Sequence, residues 1–138
     1  MGSLERYWSV MRNELPAKFR ICRKISVETD LDSEEEKLWN VHRKKLEEFE
    51  DLRRKIDSGK IDLDEKEEPD KSLLDLKKEL AEGIIESCHF CEHRCDVDRT
   101  EGETGVCGVG EVARISSEFL HRGEEPELVP SFTIFFNG

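Results

Sequence analysis

Four cysteines fall within one short run, CHFCEHRCDVDRTEGETGVC, at the spacing Cys88-x2-Cys91-x3-Cys95-x11-Cys107. Two or three intervening residues let a backbone turn aim successive sulfurs at one point, and a loop returns the fourth, so the spacing is that of a four-thiolate site. A bound group of that kind fastens its loop into one conformation, a stronger constraint on this stretch than any hydrophobic pattern it contains. Gly102, Gly105, Gly108 and Gly110 surround Cys107 and suit the tight turns such a loop requires. Ligating thiols are deprotonated, so the site gathers negative charge that Arg94, Arg99 and backbone N–H groups can offset, Arg94 being the nearest candidate. Zinc and an iron–sulfur cluster both accept four thiolates, and spacing does not choose between them. His89 and His93 can each replace a cysteine as ligand, but flanking histidines more often sit exposed. Cys22 stands far off between Ile21 and Arg23 and reads as a packing residue. Thiol redox catalysis through Cys88-x2-Cys91 is disfavoured, because the strand-to-helix setting is missing and two cysteines are left unexplained.

Little else in the chain can supply a large core, since only 36% of its 138 residues are hydrophobic and 40% are charged. With 33 acidic against 22 basic side chains the formal charge is −11, which repels phosphate backbones and argues against nucleic acid as a partner. No stretch approaches the ~20 apolar residues of a membrane helix. The N-terminal residues lack the charged start, apolar run and cleavage site of a signal peptide, so no membrane and a cytoplasmic setting are expected. Clustered rather than scattered cysteines fit that reducing compartment.

Periodicity predicts helices ahead of the cysteines. Leu4, Tyr7, Trp8, Met11 and Leu15 form a stripe behind a Ser3 cap, with Pro16 ending the run. Residues 16–30 alternate loosely and suit an extended packing arm as well as a helix. Ser33 and Glu36 have capping-box spacing, and Leu38, His42, Leu46, Phe49, Leu52 and Ile56 then recur at three or four residues until Ser58-Gly59. The charged stretch 60–71 reads as a linker, too poor in apolar anchors to offset the entropy of ordering. From Ser72, paired with Asp75 as a second cap, Leu73, Leu76, Leu80 and Ile84 predict a third helix able to pack on the second as a hairpin. Val112, Ile115 and Phe119 predict a strand, and SFTIFFNG is a short apolar run suited to a buried one. The expected fold is therefore α+β: a helical region 1–59, the linker 60–71, a helix 72–86 leading into a four-cysteine knuckle 87–110, and a strand segment 111–138. Strands so few leave an open edge, so SFTIFFNG is expected to be poorly ordered or to pair with a partner.

The segments CHFCEHRCDVDRTEGETGVCGVG, FLHRGEEPELVP and SFTIFFNG, in that order, resemble radical S-adenosylmethionine proteins of the pyruvate formate-lyase-activating-enzyme-like group. The resemblance covers about residues 85–138. It rests on a GExGxCG stretch (Gly102, Glu103, Gly105, Cys107, Gly108), an H-x-x-EEP-x-L segment (His121, Glu124, Glu125, Pro126, Leu128) and an IFF-x-G strand (Ile134, Phe135, Phe136, Gly138). In that group the strand enters a (β/α) barrel and is followed at once by CxxxCxxC, which holds the cluster that cleaves S-adenosylmethionine to a radical. This sequence stops at Gly138, before any such motif. The resemblance thus implies the N-terminal accessory module of such an enzyme, an incomplete fragment or split product of a larger barrel protein. No catalytic residue is its own, and S-adenosylmethionine is expected only for the complete enzyme. Its partner would be the missing barrel portion or another protein, and His121, Glu124 and Glu125 would line or brace the barrel mouth. The competing reading is a free-standing zinc-binding adaptor whose charged helices dock a partner protein.

Overall fold

The computed structural model describes residues 3–129 and 131–137. The expected Ser3 side-chain cap and the terminal Gly138 of the last motif lie outside the described residues. The fold is α+β, with helices α1 (Ser3–Met11), α2 (Lys18–Cys22), α3 (Glu35–Asp57) and α4 (Leu73–Glu86) followed by strands β1 (Arg114–His121) and β2 (Ser131–Asn137). The chain divides into two compact units, Met1–Ala81 and Glu82–Gly138, a boundary that falls within α4. Among the described residues no helix is long and apolar enough to cross a membrane.

Local chemistry sets the ends of the helices in the first unit. Helix α1 stops before Pro16 because Asn13 takes a left-handed conformation (φ 58°), letting the Asn13 and Glu14 N–H groups reach back to the carbonyls of Val10 and Ser9. Gly59 (φ 71°) closes α3 the same way, with Gly59 and Lys60 donating to Ile56 and Lys55. Ser72 and Asp75 cap α4 reciprocally: the Asp75 carboxylate accepts from the Ser72 N–H at 2.8 Å, and Ser72 Oγ accepts from the Asp75 N–H at 3.3 Å. The capping box expected at Ser33 and Glu36 is absent. Helix α3 begins at Glu35 with Glu34 as an N-cap that makes no side-chain cap bond, while Ser33 Oγ accepts from Lys37 Nζ at 3.2 Å.

The core of this unit corrects two expectations. The loosely patterned arm is its centre: Ile21, Ile25 and Val27 are buried as completely as Leu73 and Leu76, and Leu38, Phe49, Leu52, Ile56 and Leu80 pack around them. By backbone approach α3 packs with α2, while α3 and α4 share the core with the arm and meet directly through His42 and Lys77. A short bridge holds the arm in place, since Val27 N–H donates to the Lys71 carbonyl and Leu73 N–H to that of Ile25. Leu46, on the predicted stripe, is 37% exposed.

Segment 60–71 is packed rather than a free linker. Leu63 is a full member of the core, worth about 1.5–3 kcal/mol of burial. Lys24 Nζ donates to the Lys66 carbonyl at 2.7 Å, and Arg20 and Arg23 pair with Asp64 and Glu68. Leu63, with Ile61 packed against the core beside it, and a set of opposite charges offset the ordering entropy that composition alone left unbalanced.

His42 contributes a pH dependence to this unit. Its Nε2 lies 2.8 Å from Lys77 Nζ, and burial, then the charges of Lys77 and Arg43, push the imidazole below its ordinary 6.5. The folded chain therefore holds His42 neutral where the unfolded chain would protonate it. Its contribution is present above about pH 6.5 and is lost as pH falls toward the depressed folded value. Urea unfolding followed by tryptophan fluorescence should show a midpoint that declines between pH 7.5 and 5.5. His42→Gln should flatten that decline while leaving the carboxylate-driven loss at lower pH.

In the second unit β1 and β2 pair antiparallel, Arg114 opposite Asn137 and His121 opposite Ser131, with an irregularity between Ile115 and Ser117. SFTIFFN pairs along one edge with β1 of its own chain, and its other edge has no strand beside it among the described residues. It is not a buried strand: Phe132 and Phe136 are each 62% exposed, because a lone two-stranded sheet has nothing layered on its faces among the described residues. Phe119 stacks on Phe135, ring centroids 5.5 Å apart, along one face.

Candidate metal centre

The cysteine loop is built by short backbone closures. Cys88 pairs with the returning chain, its N–H donating to the Val97 carbonyl and its carbonyl accepting from Asp96. Between them a tight turn runs from Cys91 to Arg94, closed by the Arg94 N–H on the Cys91 carbonyl at 3.1 Å. Arg94 (φ 41°) and Asp96 (φ 51°) both take left-handed conformations without being glycine, a local strain of about 1 kcal/mol or more each. Asp98 then organises the second turn, its Oδ1 accepting from the Thr100 and Glu101 N–H groups and from Thr100 Oγ1. The Arg99 N–H is anchored on the Ile85 carbonyl at the end of α4.

This folding turns Arg99 inward and Arg94 outward. Arg94 is exposed, whereas Arg99 is 7% exposed with its guanidinium among the sulfurs. Arg99 Nη2 donates to Cys107 Sγ at 3.5 Å. A hydrogen bond to Cys88, then that to Cys107, raises the guanidinium pKa further above its already high value. Arg99 Nη1 is buried without a hydrogen-bond partner. Cys95 is held to the same place through Gly105, where an added Cβ would meet Cys95 Sγ at 2.8 Å and Arg99 Nη2 at 3.1 Å. Gly105 is therefore a close-approach glycine, while Gly102 and Gly108 supply left-handed turns (φ 85° and 70°). Gly110 has open space around it and meets neither requirement.

Cys88 is buried, Cys95 half-buried, and Cys91 and Cys107 exposed, all as free thiols. The Cys107 thiol is drawn below its usual range by the Val109 backbone N–H and, secondarily, by Arg99, which favours the thiolate that ligation requires. Burial instead pushes the Cys22 thiol up, in keeping with a packing residue in the first unit's core. His93 is exposed, and His89, also exposed, bonds the Ser87 carbonyl at 2.7 Å.

As the side chains stand, no group of three or more Cys, His, Asp or Glu among the described residues is close enough to enclose a metal ion. Thiols do not attract one another, and a bound cation is what draws four sulfurs to one centre. The donor set fits a four-thiolate group in kind and number. Cys107 meets the Arg99 guanidinium directly, and Cys95 lies with it against Gly105.

The remaining expected residues lie elsewhere. His121 ends β1, seven residues and about 23 Å of strand from Arg114, which shares a groove with Arg99. Its Nδ1 is 3.1 Å from Glu124 Oε1, without the alignment of a hydrogen bond. Glu124 and Glu125 are exposed in the connection between the strands, where the Glu125 carbonyl starts the 3-10 turn Pro126–Leu128 by accepting from the Leu128 N–H. The structure thus sets Arg99 against Cys107, with Cys95 beside Gly105, and does not bring His121, Glu124 or Glu125 to them. Of the two arginines expected beside the thiolates, the structure places Arg99 there rather than the preferred Arg94. The signal available was the Asp98-x-Thr100 turn, which folds the residue between them back toward the loop.

No family model and no solved structure matches the chain. It is similar to an uncharacterized protein of Methanocaldococcus jannaschii, with 46% identity over 135 residues. That match takes in 98% of this chain but only 37% of the relative, so the larger part of that protein lies outside it.

Proposed function

We propose that the chain is an accessory four-thiolate module, holding zinc or an iron–sulfur cluster on Cys88, Cys91, Cys95 and Cys107, at the N-terminal side of a longer radical S-adenosylmethionine protein. The observation that carries the metal reading is the cation buried among cysteines of one motif, a placement that suits thiolates rather than neutral thiols. The extent of the relative, in which this stretch forms little more than a third, supports the module reading. The bound group supplies a cross-link for the loop and, if it is iron–sulfur, a store for an electron. The chain's own residues position it: Asp98 shapes the turn, Gly105 admits the close approach of Cys95, and the Val109 N–H supports the Cys107 thiolate. The reading carries with it a reducing, cytoplasmic setting. Radical chemistry belongs to a CxxxCxxC motif that this sequence does not contain, so the module is inactive alone.

Anaerobic purification followed by metal analysis and absorption spectroscopy tests the reading. One four-thiolate group per chain is expected. A brown protein that bleaches in air identifies an iron–sulfur cluster and excludes the zinc adaptor; a colourless protein with one zinc excludes the auxiliary cluster. Neither metal at a stoichiometric level overturns the site. The radical-enzyme part further requires CxxxCxxC in the Methanocaldococcus jannaschii relative just beyond the matched stretch, and its absence there overturns that part.

A further inference from the structure

We infer that Arg99 is the positioning residue of the four-cysteine site, its guanidinium gathering Cys88, Cys95 and Cys107 and offsetting the negative charge of their thiolates in the loaded state. The inference rests on the metal reading above and names the residue that makes the site work.

An arginine is almost never buried unless its charge is matched. Arg99 is 7% exposed, and the charged groups that raise its pKa are the sulfurs of Cys88 and Cys107. Its neighbours are sulfurs: Cys107 Sγ at 3.5 Å and Cys95 across the backbone of Gly105, with Cys88 among the groups that raise its pKa. Nη1 has no acceptor. A buried donor left without a partner costs its desolvation, and here the missing acceptors are of the kind a bound thiolate group brings. A site of four thiolates around a divalent ion, or around a cluster of the same charge, carries two net negative charges in a loop that already contains Glu92, Asp96, Asp98, Glu101 and Glu103. A cation fixed within that loop lowers the repulsion as ligands close on the group. The fork of the guanidinium meets two sulfurs at once, which an ammonium does not. Arg94, exposed at the tip of the preceding turn, has none of these features.

The test uses the whole chain, reduced and freed of metal, titrated anaerobically with cobalt(II) and competed with zinc. Arg99→Gln and Arg99→Met should each bind about 10- to 100-fold more weakly than the wild type, the range for losing a group that supports metal ligands. Arg99→Lys, which keeps the charge but not the fork, should recover only part of that loss, and Arg94→Gln should bind like the wild type. The cobalt spectrum of Arg99→Gln at saturation should keep the envelope of four thiolates, since the arginine positions the ligands and is not one. If Arg99→Met binds like the wild type, the side chain acts through packing and the inference falls. It also falls if Arg99→Gln is unaffected, if Arg99→Lys is as weak as Arg99→Gln, or if Arg94→Gln is as weak as Arg99→Gln. A wild-type chain that takes up neither cobalt nor zinc overturns the metal reading itself, an outcome distinct from wild-type binding with Arg99 variants unchanged.

Discussion

Cys95→Ser is expected to weaken metal loading by on the order of a hundredfold. Four-ligand structural zinc sites bind with about 10–16 kcal/mol, so an average ligand is worth about 3 kcal/mol, and every 1.4 kcal/mol is tenfold. Cys95 is the most informative of the four because its sulfur is held by a close backbone approach, at a glycine where a Cβ would stand 2.8 Å away. Serine keeps the size of the side chain nearly unchanged and removes the soft, ionisable sulfur. Competition titration with zinc gives the affinity directly, and the cobalt charge-transfer bands should lose intensity as one thiolate leaves the set. Cys22→Ser is the control: its thiol is buried in the other unit and shifted away from ionisation, so loading should be unchanged. Equal loading by wild type and Cys95→Ser would remove Cys95 from the site.

Ile21→Ala should destabilise the first unit by about 2–5 kcal/mol, the range for deleting a large aliphatic side chain from a closed core. Ile21 has no exposed surface and lies among residues from α2, α3 and α4, so the cavity has little room to collapse. Phe19, two residues earlier on the same short helix, is 55% exposed, and Phe19→Ala should change stability by no more than about 0.5 kcal/mol. Both tryptophans, Trp8 and Trp39, belong to this unit, so urea unfolding by fluorescence reads it selectively. With a typical urea slope of about 1–2 kcal/mol per molar, the Ile21→Ala midpoint should fall by more than about 1 M. Equal effects of the two substitutions would contradict the placement of the arm at the centre of the core.

Local features of this protein were legible in its sequence because they depend on neighbours along the chain. The stripe Leu38, Phe49, Leu52 and Ile56 faces inward, Gly59 ends α3, Ser72 and Asp75 cap α4, and the two strands stand where β-branched and aromatic residues cluster. The cysteine spacing marked the candidate loop for the same reason, since a turn of two or three residues can be recognised without knowing what surrounds it. Tertiary structure decided the rest. It put Ile21, Ile25 and Val27 rather than a helical hairpin at the centre of the first unit, and it drew Leu63 out of a charged stretch into the core. It also left the phenylalanines of β2 exposed. Each of these depends on which surfaces meet across long sequence separations, and composition carries no record of that. The same reason separates Arg94 from Arg99. Their charges are alike and Arg94 is the nearer along the chain, yet the left-handed turns at Arg94 and Asp96, with the Asp98 turn that follows, send its guanidinium to solvent and that of Arg99 in beside the sulfurs.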